Sequence, residues 1–326
     1  MSDSASTTGR NAFDVFRAEF PSTWRGIPDK PLFFGLLAAW LALFHFLGNS
    51  TFGYVASPSL LEWTYTLYTR PDSEDSHGLL IPFVVLALLW WKRADLAAVP
   101  KKPWPAGLAL LAGALGLHLV GFLIQQPKVS VVAMLAGIYV LIAVVWGWRL
   151  AWAMAFPFGL MVFCVPIGDL ADPITIPLRK VSTDISVFVC KHLLGIPVIQ
   201  VGIQIIDPKG GYHYEVAAAC SGIRSLVTLF ALTTIYGFIS FRTPWKRALM
   251  VFIAAPLALI GNVIRLVGIV VAAEAFGQKA GEVVHDWFGF LTFALALAVM
   301  IALGNWLRDP EPPPAAAPVA PQPDPA

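Results

Sequence analysis

Charge is what this sequence has least of: Asp, Glu, Lys and Arg make up 13% of its 326 residues, while 57% are hydrophobic. Soluble domains carry about 25% charged residues, so a water-soluble fold is excluded, and a mean hydropathy of +0.71 points the same way. Net charge is small, at +2. The basic residues fall between apolar runs instead of forming one patch, which leaves no nucleic-acid signature. Cysteine is scarce as well. Cys164, Cys190 and Cys220 are too few and too irregularly spaced for a disulfide framework or a zinc cluster, leaving room for a lone functional thiol. No metal and no cofactor is expected. The first 30 residues are polar, with Arg10, Arg17, Arg25 and Lys30, and lack the apolar core of a signal peptide. The first long apolar run should therefore stay as a span.

What the chain has in plenty is apolar runs long enough to cross a bilayer, about 20 residues at 1.5 Å each. They lie near 31–48, 78–91, 106–124, 129–147, 149–166, 217–239, 246–274 and 286–307, which predicts about eight transmembrane helices. The expected fold is an all-α polytopic membrane protein with an extracytoplasmic amphipathic helix and a small β-hairpin. Residues 1–30 form a cytoplasmic segment, 31–308 the transmembrane domain, and 309–326 a disordered tail rich in Pro and Ala. Lys92, Arg93, Lys101 and Lys102, then Arg149, then Arg242, Lys246 and Arg247 follow the second, fourth and sixth runs. Basic residues mark the cytoplasmic side. The loop around Asp72, Glu74 and Asp75 and the long connection 167–216 are then outside.

Within that connection, Ile174, Leu178, Val181, Ile185 and Phe188 repeat at helical spacing opposite Arg179, Lys180, Thr183 and Asp184. This predicts a helix lying on the outer membrane surface. Ile199, Val201, Ile203 and Ile205 alternate with polar residues as in a strand; Asp207 to Gly211 supply a turn; Tyr212, Tyr214 and Val216 alternate again. The predicted hairpin feeds directly into the sixth run.

At that junction stands Ala217-Ala218-Ala219-Cys220-Ser221-Gly222-Ile223-Arg224-Ser225. Four-residue spacing puts Cys220 and Arg224 on one helical face, with β-carbons about 6 Å apart. A guanidinium and a helix N-terminus both favour the thiolate, the reactive form of the thiol. Cys164 and Cys190 have no such neighbours and read as small packing groups. Arg265 interrupts the apolar stretch Ile260 to Val267, where a cation is costly unless it faces a partner or a cavity; snorkelling to headgroups is its plainer role. His285 falls where the eighth run begins from outside. Helix direction brings thiol, guanidinium and imidazole to one depth from three spans. Those are the parts needed for acyl transfer through a thioester.

The same residues resemble those of the exosortases and archaeosortases, polytopic membrane cysteine transpeptidases that process proteins bearing a C-terminal sorting signal. Ala219 to Ser225 is similar to the family's cysteine motif, Asn262-Val263-Ile264-Arg265 to its arginine motif and His285 to the exosortase histidine. Ser76-His77-Gly78-Leu79-Leu80-Ile81-Pro82 is similar to a further recurrent element. The resemblance implies a catalytic set of Cys220, Arg265 and His285, with Arg224 in support. It also implies a bacterial cytoplasmic (inner) membrane location with the site on the extracytoplasmic side. The partners implied are membrane-anchored substrates with a PEP-type motif, hydrophobic helix and basic tail, and an acceptor nucleophile, with envelope lipid and polysaccharide as candidates. Transfer and hydrolysis of the thioester both remain open. So do two other classes, a transporter of lipid-linked precursors in which Arg265 binds phosphate, and an acyltransferase that carries a fatty acid on Cys220.

Overall fold

The computed structural model describes residues 12–70, 73–167, 172–215 and 223–308. The chain divides into two compact units, the first ending at Ile176 and the second starting at Pro177.

The first unit is helical. α1 (Ala12–Arg25) is followed by α2 (Lys30–Leu47), α3 (Leu60–Thr69), α4 (Ile81–Trp91), α5 (Arg93–Ala98), α6 (Gly107–Leu123), α7 (Pro127–Trp146), α8 (Trp148–Ala153) and α9 (Ala155–Gly159), the last running into a 3₁₀ turn at Leu160–Cys164. Prolines occupy the first turns of α2, α4 and α7, where the missing N–H costs nothing. The core forms where α2 meets α7. Trp40 donates its indole N–H to the Met134 carbonyl at 3.0 Å, and the Trp146 ring stacks on Phe33 with centroids 4.3 Å apart. The fourth and fifth apolar runs, nearly continuous in sequence, part at Gly147. Its φ of +101° is open to glycine, and a β-carbon there would lie 2.2 Å from the Lys102 carbonyl oxygen.

Three helices of this unit go beyond the sequence expectation, among them the short α5 in the basic loop after the second run. α1 lies within the polar N-terminal segment, held to the end of α4 by Phe16 edge-on to Trp90 (4.8 Å) and to the start of α5 by Arg93 paired with Glu19 at 2.6 Å. α3 is too short and too polar to register as an apolar run, and Ser59 caps it by accepting from the Glu62 N–H at 3.1 Å.

The second unit is built on α11 (Ile223–Ser240), α12 (Pro244–Phe276) and α13 (Gln278–Trp306). α10 (Asp172–Phe188), whose first turn belongs to the first unit, and a π turn at Val189–Leu193 come before them, followed by β1 (Ile199–Val201), β2 (Gln204–Ile206) and β3 (His213–Glu215). The three strands form one antiparallel sheet in the order β1-β2-β3. The sequence predicted a single strand over 199–205. The structure breaks it into two at Gly202, whose φ of +64° makes a two-residue hairpin turn that pairs Val201 with Gln204. Val198, Ile205 and Tyr212 pack with Val270 and Ala273 of α12, so the sheet is seated on that helix.

α10 is the amphipathic helix that the spacing predicts, and its burial is inverted with respect to a water-exposed helix. Thr175, Arg179, Ser182, Thr183 and Ser186 are buried, whereas Ile174, Ile176, Val181, Ile185 and Phe188 are exposed. The short hydroxyls bond back into the helix, Thr183 to the Arg179 carbonyl and Ser186 to the Ser182 carbonyl.

Of the eight apolar runs, α2, α7, α12 and α13 are long and apolar enough to cross a membrane by themselves. The other four appear as shorter apolar helices, Ile81–Trp91, Gly107–Leu123, Ala155–Cys164 and Leu226–Ser240. Large apolar side chains lie exposed on these helices, among them Phe83 (70%), Leu123 (72%), Phe252 (73%) and Phe290 (81%). Apolar exposure on this scale belongs to a surface that faces lipid. The protein is an all-α, multi-pass membrane protein.

Candidate active site

α12 and α13 form the scaffold of the site. α12 is 33 residues long, about 50 Å at helical rise, and α13 returns alongside it after Gly277. Arg265 and His285 face each other across this pair. One guanidinium nitrogen, Nη2, donates to His285 Nε2 at 3.1 Å and to the His285 carbonyl oxygen at 3.1 Å. Arg265 has only donors, so Nε2 must accept, which places the imidazole proton on Nδ1 and makes the ring neutral in this arrangement. Both side chains are half-buried. Gly289, one turn after His285, brings the α13 backbone under the guanidinium: a β-carbon there would sit 3.4 Å from Arg265 Cζ.

The sequence placed His285 at the start of the eighth span. The structure starts α13 at Gln278, so His285 lies two turns inside, because Gly277 lets the chain re-enter a helix at once and Lys279 and Glu282 project outward from its first turns.

The hairpin is tied to the same helix pair. Tyr214 donates its hydroxyl to the Gln278 carbonyl at 2.8 Å, and its ring stacks on Tyr212 at 5.8 Å. β3 is thereby fixed to the start of α13, while α11 packs on α12, with Leu229, Ala254 and Ala296 forming a buried cluster among the three helices. At the opposite end, Lys246 donates to the Leu307 carbonyl at 2.8 Å, capping α13. Cys220 lies outside the described residues. Arg224 stands in the first turn of α11, and its side chain is likewise outside them.

The other two cysteines are buried free thiols. Burial pushes the Cys190 thiol up to about 11, so it stays protonated and unreactive near neutral pH. Cys164 Sγ donates to the Gly78 carbonyl at 3.6 Å, and the Tyr68 hydroxyl donates to the Cys164 carbonyl. The Ser-His-Gly segment forms a 3₁₀ turn, Ser76–Leu79, with Gly78 closed over by the Tyr68 ring. Its place is in the packing of α3 against the end of the fifth run. Among the described residues, no three His, Cys, Asp or Glu side chains come together as a metal would require.

The sequence reading gave no role to Asn262 or Gly289. Asn262 precedes Arg265 by one turn, and this spacing was the available signal, since a second polar residue on the face of an intramembrane cation shares its surroundings.

The pairing of an intramembrane guanidinium with an imidazole across two spans lies within the stretch matched by a family model. The model for the transmembrane exosortases matches residues 63–302, that is 240 of the 326 residues. The chain belongs to the transmembrane exosortase family. The match takes in the chain from α3 to the last turns of α13, with Cys220, Arg224, Arg265 and His285 inside it. Neither a curated protein nor a solved structure matches the chain. Family membership makes this exosortase a membrane-embedded sorting transpeptidase in the general sense.

Proposed function

We propose that this exosortase is a cysteine transpeptidase or protease that cuts the C-terminal sorting signal of exported proteins through a thioester on Cys220. The observation that carries the reading is the contact of Arg265 with His285, beside the helix into which the cysteine motif leads. A cation and a proton carrier joined at 3.1 Å have little use in a lipid-facing bundle unless charge develops between them.

The chemistry balances on the chain's own groups. The Cys220 thiol gives its proton to the neutral imidazole of His285 and its sulfur attacks the scissile carbonyl. Arg265 stabilises the oxyanion. As the tetrahedral adduct collapses, the C–N bond breaks, the imidazolium returns its proton to the leaving amine, and the acyl group stays on sulfur. An amine, another nucleophile or water then takes the acyl group and restores the thiol. Arg265 cannot hold Nε2 while Nε2 carries the proton, so the observed contact is the resting arrangement, released when the guanidinium turns to the oxyanion. Arg224, one turn from Cys220, supports the substrate or the acceptor. The site works on the extracytoplasmic face of a bacterial inner membrane, and α10 lies in that surface with its isoleucines toward lipid. The substrate is a protein anchored by a C-terminal hydrophobic helix preceded by a short PEP-type motif. Acceptors drawn from envelope lipid or polysaccharide suit the position.

Co-expression with an exported protein carrying such a helix tests the proposal. The expected result is cleavage, with a hydroxylamine-sensitive peptide adduct on Cys220 by mass spectrometry. Cys220→Ala should insert normally and accumulate uncut substrate. Complete processing by Cys220→Ala would refute the cysteine mechanism, and a fatty-acyl adduct in place of a peptide would identify an acyltransferase.

A further inference from the structure

Asn262 is 6% exposed, and among the described residues neither the oxygen nor the nitrogen of its carboxamide has a hydrogen-bond partner. An amide left unmet costs most where hydrocarbon surrounds the protein and no bulk water can reach it. The side chain lines a cavity of about 20 Å³ among α11, α12 and α13, together with Leu229, Arg265, Thr292 and Phe293. The cavity continues from the Arg265–His285 contact in the direction away from Gly277, since its lining extends to Leu257 and Ala296.

Size and chemistry select the occupant. A water molecule needs at least about 10–15 Å³ and two to four polar partners; a peptide group or a lipid headgroup is several times too large. Among the described residues, three polar groups line the wall. The Asn262 carboxamide can both accept and donate. The Thr292 hydroxyl already donates to the Phe288 carbonyl at 2.7 Å, which leaves its lone pairs to accept. Arg265 can only donate. We propose that Asn262, Thr292 and Arg265 form a binding site for a single water molecule inside the helix trio. The water donates to Asn262 Oδ1 and Thr292 Oγ1 and accepts from the Arg265 guanidinium or from Asn262 Nδ2. It hydrates Arg265 from the side opposite His285, and Asn262 is thereby a positioning residue for the cation. The site requires the fold of α11–α13 and does not depend on the cysteine chemistry.

Radiolytic hydroxyl labelling of the purified full-length protein reads this directly, because a trapped water generates radicals beside side chains that bulk solvent does not touch. Leu229 and Leu60 are both 0% exposed, and Leu229 alone of the two lines the cavity. Leu229 should be oxidised in the wild type and Leu60 should not. Asn262→Leu should abolish the Leu229 signal, and Asn262→Ser, which keeps a hydroxyl at the wall, should retain it. Leu229 labelled no more than Leu60 in the wild type, a comparison that needs no variant, overturns the site. So does unchanged labelling in Asn262→Leu. Neither outcome bears on whether Cys220 forms a thioester.

Discussion

Replacing His285 by glutamine separates the two roles that its imidazole could have. Arg265 Nη2 donates to the ring nitrogen and to the backbone carbonyl of residue 285, each at 3.1 Å. A glutamine side chain still offers an acceptor oxygen and the carbonyl is untouched, so the guanidinium keeps its anchorage, but no group remains to carry a proton. General acid–base catalysis is worth about 10²–10⁴ in rate, so His285→Gln should slow substrate processing by that factor at unchanged protein level. His285→Ala also removes the side-chain acceptor. A hydrogen bond to a charged group contributes about 1.5–3 kcal/mol when well shielded, and in this half-buried setting about 1 kcal/mol, or some fivefold, is a fair allowance. Because that contact is given up as the guanidinium turns to the oxyanion, the fivefold is an upper bound, and the alanine variant should fall no more than about fivefold below glutamine. Pulse-chase of a co-expressed substrate, with the enzyme quantified in the membrane fraction, gives both ratios. A His285→Gln enzyme that processes at the wild-type rate, with only His285→Ala impaired, would show that the imidazole merely holds Arg265, and the proton-transfer role would be withdrawn.

Arg265→Lys keeps the charge but loses the planar fork; an ammonium that takes the place of Nη2 on residue 285 has no second arm of fixed geometry for the oxyanion, and processing should drop by about tenfold or more for the roughly 1.5–3 kcal/mol of a charged hydrogen bond, whereas normal processing would favour headgroup anchoring. In the β2–β3 turn, the N–H groups of Lys209 and Gly211 donate to the Asp207 carboxylate at 3.0 and 2.8 Å. The Lys209 hydrogen bond above all holds that carboxyl below its ordinary value. A depressed native value means that the turn's stabilisation is complete above the ordinary carboxylate range and lost as pH falls through the native value. Limited proteolysis of the hairpin should accelerate on acidification below about pH 4, and Asp207→Asn should show fast cleavage already at neutral pH.

Much of this architecture is legible in the sequence, because a bilayer imposes a crude and reliable rule: helices that meet lipid must be apolar over their length. All eight runs become helices on that account. The exceptions are local. Gly147 and Gly202 each end an element whose composition would have carried on, and what stops it is a backbone dihedral, visible only as a glycine among many. α3 escapes notice because Glu62, Thr64 and Thr66 dilute its hydropathy, although the Ser59 cap was available as a signal. Around the site, the cost of an intramembrane charge picks out Arg265, and antiparallel helix direction suffices to suggest His285 as its neighbour. The direction of the bond between them, and with it the neutral ring, depends on side-chain geometry that no spacing encodes.

Helix α10 also limits how this protein can be handled. Its hydroxyls and Arg179 are turned inward and Ile174, Ile176 and Phe188 outward, at 68%, 49% and 58% exposure. The common remedy for a sticky surface, exchanging outward isoleucines for glutamate or lysine, would leave it polar on both sides, with no face from which water is excluded and nothing to keep it seated. Such a helix behaves as a float. With α10 seated in the membrane surface as proposed, its depth should answer to the thickness and packing of the lipid around it, and a shift would reach β1 within a few residues. A change of lipid or detergent should therefore act on the hairpin much as a point substitution would, applied without altering the sequence.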